Sequence, residues 1–217
     1  MIELPLFPLQ TVLFPGAPLR LHIFEERYKL MINQCIQHKQ PFGVVLIHSG
    51  QEAMGPLAQP HRIGTTARII QVQHLPDGRM NIAATGEKRF EIVSLEPDLQ
   101  PYLVGYVEPL ELTVENDELL EQAGSQLHRR VERYFLTLSE SGAGQYDLGQ
   151  FPEDPVRLAY LSASLLQMND LQKQAILAQE RAEDLLNAVN DAYRREIALL
   201  KVITLKDHAS SGTFSIN

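Results

Sequence analysis

Cys35 is the only cysteine of the chain and the residue whose type is best suited to nucleophilic chemistry. A reactive thiol needs a base such as histidine and an environment that lowers its pKa. Cys35 instead shares one predicted helical face with Tyr28, Met31 and Ile32. This spacing predicts a small buried core residue rather than a nucleophile.

Ser162 and Ser164, followed by Lys173, are the second candidate for nucleophilic chemistry, as a Ser-Lys dyad. They lie in a predicted helical region, where the sequence shows no strained turn and no donors for an oxyanion. The sequence therefore favours a structural role for both serines.

The segment Gly86-Glu87-Lys88-Arg89-Phe90 combines a glycine with basic residues, as a phosphate-binding loop would. It connects two predicted strands, however, and offers no helix N-terminus to a phosphate. We therefore predict a structural turn at this position.

Motifs of known cofactor and catalytic sites are missing from the sequence: GxxxxGK[ST], GxGxxG, HExxH and GxSxG. Seven histidines are scattered along the chain without the spacing of metal ligands, so a metal site would require them to converge in space. We expect no cofactor, and neither ATPase nor protease activity in this chain.

Composition is that of an ordinary globular protein, with 217 residues of which 44% are hydrophobic and 21% charged. The net charge of −8 divides into −2 for residues 1–113 and −6 for the remainder, so neither half has the basic excess that nucleic acid attracts. A single cysteine permits no intrachain disulfide, which fits a reducing compartment, and no apolar run is long enough for a membrane span. We expect a cytoplasmic location.

Two prolines lie within the first segment of the chain that is predicted to be extended. Pro5 and Pro8 cannot donate hydrogen bonds, which predicts an edge strand or a strand entering a barrel rim. Pro15-Gly16 predicts a turn, and the alternation over residues 19–23 predicts a strand with one buried face. Three apolar residues of this region are predicted core anchors: Phe7, Leu9 and Phe14.

Further elements follow from the hydrophobic period. A helix from Glu25 to Pro41 precedes a buried strand over residues 42–47 and a loop over residues 49–60. Residues 63–95 read as a β-meander with a turn at Pro76-Asp77-Gly78 and a break at Gly86, and residues 102–112 add one more strand.

The period becomes helical at residues 115–117 and stays so to the C-terminal region. An N-cap followed by proline at Asp154-Pro155 predicts the second helix of this half, and Asn169 or Asp170 begins the next. The fold class is therefore α+β. We predict a β-rich subdomain with one helix over residues 1–113, a helical bundle over residues 114–206, and a flexible tail over residues 207–217.

Several motifs together resemble the N-terminal, substrate-binding domain family of Lon protease. The segments that carry the resemblance are Leu4-Pro5-Leu6-Phe7-Pro8-Leu9, Val12-Leu13-Phe14-Pro15-Gly16, Leu21-His22-Ile23-Phe24-Glu25, Leu75-Pro76-Asp77-Gly78-Arg79, Arg89-Phe90 and Arg157-Leu158-Ala159. The resemblance implies a PUA-like β-rich subdomain followed by a helical bundle, and a stand-alone member without the ATPase and Ser-Lys protease regions.

Three classes of function remain open on this basis. The resemblance implies a non-catalytic module that binds unfolded or apolar polypeptide, with a protease or chaperone as a further partner and with possible self-assembly. A hydrolase with an unfamiliar active site and an RNA-binding module are the alternatives. Nucleic acid is disfavoured by charge, and a membrane by the absence of a span.

The loop over residues 49–60 is the predicted place for a polypeptide to bind, because loops of this length are often functional. We predict an apolar groove between this loop and the exposed edge of the β-rich half, with Met54 and Leu57 on its rim. The alternative is that both side chains simply attach the loop to the core.

Overall fold

The computed structural model describes residues 1–52, 57–140 and 151–211. The chain forms two compact units, the first comprising Met1–Thr113 with Ala163–Glu180, and the second Val114–Ser162 with Arg181–Asn217. The sequence predicts that all of residues 114–206 belong to the helical bundle. The difference lies in Ala163–Glu180, which groups with the strands through long-range hydrogen bonds that a hydrophobic period does not reveal.

In its described residues, the first unit contains six strands and two helices. The strands are β1 (Ile2–Leu9), β2 (Pro18–Ile23), β3 (Phe42–Ser49), β4 (Gln59–His74), β5 (Met80–Glu96) and β6 (Leu103–Pro109), and helix α1 spans Glu26–His38. The strands pair in the order β2-β5-β4-β3-β1-β6, and β6 also pairs with β5. Five strands thus close into a ring, and β2 lies outside this ring. The combination of this sheet with helices confirms the predicted α+β class.

The interior of this ring is apolar. Its central cluster consists of Leu4, Leu6, Val45, Phe90, Ile92, Leu103 and Val107. The predicted anchors Phe7, Leu9 and Phe14 are buried as well, with exposed fractions of 6% or less. Burying such side chains contributes about 1.5–3 kcal/mol each, which explains why proline-rich β1 is held inside the sheet.

The prolines of β1 predicted an edge strand or a strand entering a barrel rim. The first alternative is wrong, since β1 lies between β3 and β6. It pairs with β6 over Ile2–Leu6 and with β3 over Leu6–Leu9. Pro5 is therefore in register with β6 alone and Pro8 with β3 alone. Each missing N–H falls on a stretch with one neighbouring strand, so an interior strand accommodates both prolines.

Strand β5 continues through Gly86, where the sequence predicted a break followed by a turn. A Cβ atom at Gly86 would lie 2.3 Å from the carbonyl oxygen of Phe14, so glycine is required for close approach rather than for a turn. Before this position β5 pairs with β2, and after it β5 pairs with β6. Gly86 therefore marks the point at which one neighbouring strand replaces another.

Helices of the second unit follow the predicted pattern. They are α2 (Asp117–Glu140), α3 (Pro155–Leu165, of which the first eight residues belong to this unit) and α5 (Ala182–Ser211), while α4 (Asp170–Leu177) belongs to the first unit. Arg130 on α2 donates to the backbone and side-chain oxygens of Asn190 on α5 at 3.1 and 2.9 Å. Helix α5 extends to Ser211, so the predicted tail begins as helix, and residues 212–217 lie outside the described part.

Candidate functional site

Strand β2 offers an unpaired edge of the sheet. Its six residues, Pro18–Ile23, pair antiparallel with Met80–Thr85 of β5. Within the described part of the chain, no strand pairs with the other side of β2. We call this side the β2 edge. An unpaired edge presents backbone donors and acceptors that another extended chain can use.

The pairing phase of β2 decides which backbone groups lie on that edge. The carbonyl of Ala17 accepts a hydrogen bond from the N–H of Gly86 at 3.0 Å, which makes this a hydrogen-bonded pair. Such pairs alternate along an antiparallel ladder, so Leu21 is bonded to β5. The N–H and C=O groups of Arg20 and His22 consequently point towards the β2 edge.

The turn before β2 fixes this phase. Gly16 adopts φ +78°, which glycine tolerates better than other residues, and its N–H donates to the carbonyl of Gly86 at 2.8 Å. The N–H of Ala17 turns back to the carbonyl of Phe14 at 3.0 Å. The Pro15-Gly16 turn predicted from the sequence thus attaches the start of β2 to the middle of β5.

Side chains alternate along β2 as the sequence predicted. Leu19 and Leu21 are half-buried and Ile23 is buried, whereas Arg20 and His22 are exposed. One face of the strand therefore supports the core. The other face is exposed to solvent, where side chains of a bound chain could contact it.

An exposed aromatic residue follows the strand directly. Phe24 is 43% exposed, and its ring stacks on that of His22 with centroids 6.1 Å apart. His22 is held in place by Asn81, whose Oδ1 atom lies 2.7 Å from its Nδ1 atom. The β2 edge therefore ends in an oriented aromatic pair rather than in mobile polar side chains.

A small cavity of about 140 Å³ lies beside the β2 edge. Its apolar lining comes from Phe7, Leu9, Leu21, Ile23, Phe24 and Tyr28. Tyr28 stacks on Phe7 with centroids 4.0 Å apart, and burial raises the pKa of Tyr28 to about 12, so its phenol stays neutral. Glu52 lines the cavity from the loop and accepts a hydrogen bond from the N–H of Gln10 at 2.7 Å.

Comparison with known proteins identifies the family. Residues 3–195 match the description "ATP-dependent protease La (LON) substrate-binding domain". The chain belongs to this family. A LON substrate-binding domain with an open strand edge and an apolar cavity beside it carries groups that a polypeptide can contact.

Relatives of this LON substrate-binding domain include much longer proteins. Lon protease 2 of Myxococcus xanthus is 26% identical over 98% of this chain, which covers 26% of that protein. Lon protease of Flavobacterium johnsoniae is 32% identical over 54% of this chain and 14% of its own length. The chain thus spans about a quarter or less of these relatives.

Solved structures show the same fold. The Lon N-terminal domain protein of Xanthomonas campestris superposes with a TM-score of 0.64 at 27% identity, over 86% of this chain and 96% of that one. The N-terminal domain of a Mycobacterium avium complex Lon protease gives a TM-score of 0.65 at 17% identity, over 89% and 98%, which supports the fold alone. Across the described residues, none of the helices has the length and apolar character required to traverse a bilayer.

Of the two residues predicted to lie on the rim of a groove, the structure describes only one. Met54 lies outside the described residues. Leu57 is half-buried and packs against the central cluster of the ring, which agrees with the alternative of a loop attached to the core. Glu52 is the loop residue that reaches the cavity beside the β2 edge. The prolines of β1 are typical of an edge strand, but the unpaired edge of the sheet belongs to β2.

The nucleophile candidates occupy packed positions. Cys35 is 1% exposed, and burial raises the pKa of its thiol to about 11, which leaves it protonated at neutral pH. Ser162 is fully buried in α3, and its carbonyl accepts a hydrogen bond from the hydroxyl of Tyr193 at 3.0 Å. Ser164 and Lys173 lie on α3 and α4. Among the described residues, no three acidic, histidine or cysteine side chains are grouped to hold a metal ion.

Proposed function

We propose that this LON substrate-binding domain binds extended polypeptide by adding it as a further strand at the β2 edge. The observation that carries the proposal is the direction of the backbone groups of Arg20 and His22, which face no neighbouring strand in the described part of the chain. Strand addition supplies affinity through main-chain hydrogen bonds and is independent of the sequence bound. This suits a domain that must accept many different unfolded chains.

Apolar surface beside the edge adds selectivity. Every second side chain of an added strand would face the cavity lined by Phe7, Leu21 and Phe24. Phe24 offers an exposed ring on which apolar or aromatic side chains can stack. Folded proteins hide both their apolar side chains and their strand edges, so they would compete poorly for this site.

The wider role that we infer is delivery of unfolded or apolar segments to proteolysis or quality control, without catalysis by this domain. Its support is the family together with the Lon proteases among the relatives. A protease or a chaperone is the partner that this role requires. RNA binding receives no support from charge, since residues 1–113 carry a net charge of −2.

A titration with one protein in two states tests the proposal. Fluorescently labelled α-lactalbumin is compared in its native form and in its carboxymethylated, permanently unfolded form, with binding followed by anisotropy. We expect saturable binding of the unfolded form alone, and mass spectrometry should recover that form intact. Equal binding of both forms, or no binding of either, contradicts the proposal. Cleavage of the unfolded form would instead support a hydrolase.

A further inference from the structure

Exposed arginines of β4 are matched by carboxylates on the neighbouring strand β5. Arg62 pairs with Glu91 at 3.3 Å, and Arg68 pairs with Glu87. Oppositely charged side chains on adjacent strands stabilise a sheet, because they lie close together on one face. Both of these cations are therefore accommodated by a carboxylate from the strand beside them.

Arg20 on β2 has no such partner. The residue in register with it on β5 is Ala83, whose methyl group accepts no hydrogen bond. On its other side lies the β2 edge, where no strand of the described part of the chain is present. The side chain of Arg20 is exposed, and no carboxylate among the described residues forms an ion pair with it. An added strand would be the neighbour that places a carboxylate beside this cation.

A space of about 450 Å³ borders Arg20 where β2, β5 and β4 lie side by side. We call this space the Arg20 recess. Its polar lining consists of Arg20, His22, Gln71, Gln73 and Asn81, and no aspartate or glutamate contributes to it. All five of these side chains are exposed, so a ligand can reach their polar groups. The guanidinium alone offers five N–H donors and a positive charge, which favours an anionic acceptor.

A chain of hydrogen bonds orients the row of side chains beside Arg20. His22, Asn81 and Gln73 are in register on β2, β5 and β4. Asn81 Oδ1 lies 2.7 Å from His22 Nδ1, and Asn81 Nδ2 donates to Gln73 Oε1 at 3.2 Å. The amide oxygens of this row are therefore engaged, while the amide nitrogen of Gln73 remains a donor. This row adds hydrogen-bond donors to the recess and no negative charge.

The side chains of an added strand would alternate between two different surfaces. The residue opposite Arg20 would place its side chain on the same face as Arg20. The next residue would lie on the face of Leu21, where the small cavity is also lined by Phe7 and Leu9. Arg20 borders both spaces, as expected for a side chain at the edge of a sheet. A shift by one residue would exchange the two faces, so the difference between them favours one register.

We propose that Arg20 selects polypeptide segments in which acidic residues alternate with apolar ones, by pairing with a carboxylate side chain of the strand added at the β2 edge. The carboxylate lies beside the Arg20 recess, and the adjacent apolar side chains lie on the face of Leu21. This pair repeats at the edge the contacts that Arg62 and Arg68 make inside the sheet. The inference rests on the proposed function and deepens it, because it names the class of segment that strand addition accepts.

Three short capped peptides test this selection. In each, valine alternates with a second residue, which is glutamate, glutamine or lysine. The peptides compete with fluorescent, carboxymethylated α-lactalbumin for the protein, and anisotropy follows the displacement. We expect the glutamate peptide to compete about twofold to fivefold better than the glutamine peptide, and the lysine peptide to compete least. The net charge of −8 attracts the lysine peptide from a distance, so the expected order identifies a local contact.

Other outcomes separate this inference from strand addition. Equal competition by the three peptides, or strongest competition by the lysine peptide, overturns the selection and leaves strand addition in place. A glutamine peptide with a free C-terminal carboxylate is the fourth competitor. If it equals the glutamate peptide, the carboxylate bound is a chain end, and selection by a side chain is refuted. Absence of α-lactalbumin binding refutes the proposed function and, with it, this inference.

Substitutions at Arg20 assign the preference to its charge. Arg20→Gln should bring the glutamate and glutamine peptides to equal affinity, and Arg20→Glu should make the lysine peptide the strongest competitor. Lys88→Glu makes the same change in net charge at an exposed position of β5 and should leave the order unchanged. Thermal unfolding verifies that all three variants are folded. A preference for glutamate that persists in Arg20→Gln contradicts the role assigned to Arg20.

Discussion

The guanidinium of Arg89 on β5 donates to the carbonyl oxygen of Leu177 at the end of α4, with an N···O distance of 2.6 Å across 88 positions of the sequence. The same Nη1 atom also donates to the carbonyl of Gln179. A cation is favourable at a helix C-terminus, where carbonyl groups lack partners within the helix. This buried contact joins the end of α4 to β5 within the first unit.

Replacing Arg89 with methionine should therefore destabilise the first unit. The substitution keeps an unbranched side chain but leaves two carbonyl groups, one buried and one part-buried, without their donor, at a cost of about 2–4 kcal/mol. Urea unfolding followed by circular dichroism measures the loss. Lys88→Met, at the exposed neighbouring position, is the matched control. A loss below about 0.5 kcal/mol for Arg89→Met would contradict the assigned role.

Gly86→Ala should be one of the most damaging single changes in the first unit. The added Cβ would lie 2.3 Å from the carbonyl oxygen of Phe14 and 3.1 Å from Cγ of Leu13, so the turn before β2 must move away from β5. We expect a loss of about 2–4 kcal/mol in the free energy of unfolding, together with weaker binding of unfolded polypeptide. Thermal unfolding of the purified variant measures the loss of stability. A variant as stable as the unsubstituted protein would show that the turn before β2 moves away from β5 without cost.

Cys35 should be unreactive in the folded protein. With the pKa of its thiol at about 11, the thiolate at pH 8 is about a hundredfold scarcer than for an ordinary thiol of pKa 9. Reaction with 5,5′-dithiobis(2-nitrobenzoate) should therefore be slow until urea unfolds the chain. Fast reaction of one thiol under native conditions would contradict the burial.

Because burial raises the pKa of the Cys35 thiol, the free energy of unfolding should decrease at alkaline pH. The folded-state pKa of Cys35 lies above the unfolded value, so its contribution is fully present below about pH 9 and is lost as the pH rises towards 11.

Much of the fold follows from local signals in the sequence. The turn at Pro15-Gly16, the alternation of β2 and the cap at Asn169 each depend on residues a few positions apart, and the structure confirms all three. These features depend on backbone preferences and on burial of one face, both of which can be predicted from neighbouring residues. The family resemblance, based on the same segments, is confirmed as well.

The remainder depends on contacts between distant positions. Pro5 and Pro8 carry the signature of an edge strand, yet each falls where only one neighbouring strand is present. Gly86 resembles a strand break because glycine serves both turns and close backbone approach, and only the position of Phe14 distinguishes them. The β2 edge does not follow from the sequence for the same reason, since the order of strands in a sheet is a tertiary property.

Arg20→Pro should weaken binding of unfolded polypeptide without unfolding the sheet. Proline removes the one N–H that Arg20 directs towards the β2 edge, while the hydrogen bonds of β2 to β5 come from the neighbouring residues. Loss of one backbone hydrogen bond reduces affinity by about 2- to 12-fold, corresponding to 0.5–1.5 kcal/mol. Arg20→Ala, which keeps the N–H and removes the charge, is the matched control for the anisotropy titration. Equal affinity of the two variants would show that the N–H of Arg20 takes no part in binding.

Hydrogen exchange at single amides of β2 tests strand addition most directly. Leu19 and Leu21 donate to β5 and should be protected in the free protein, whereas Arg20 and His22 should exchange quickly because their N–H groups face the β2 edge. At saturating unfolded polypeptide, we predict that exchange at Arg20 and His22 slows at least tenfold while Leu19 and Leu21 change little. Fast exchange at Arg20 and His22 in the saturated complex would contradict the proposed binding mode.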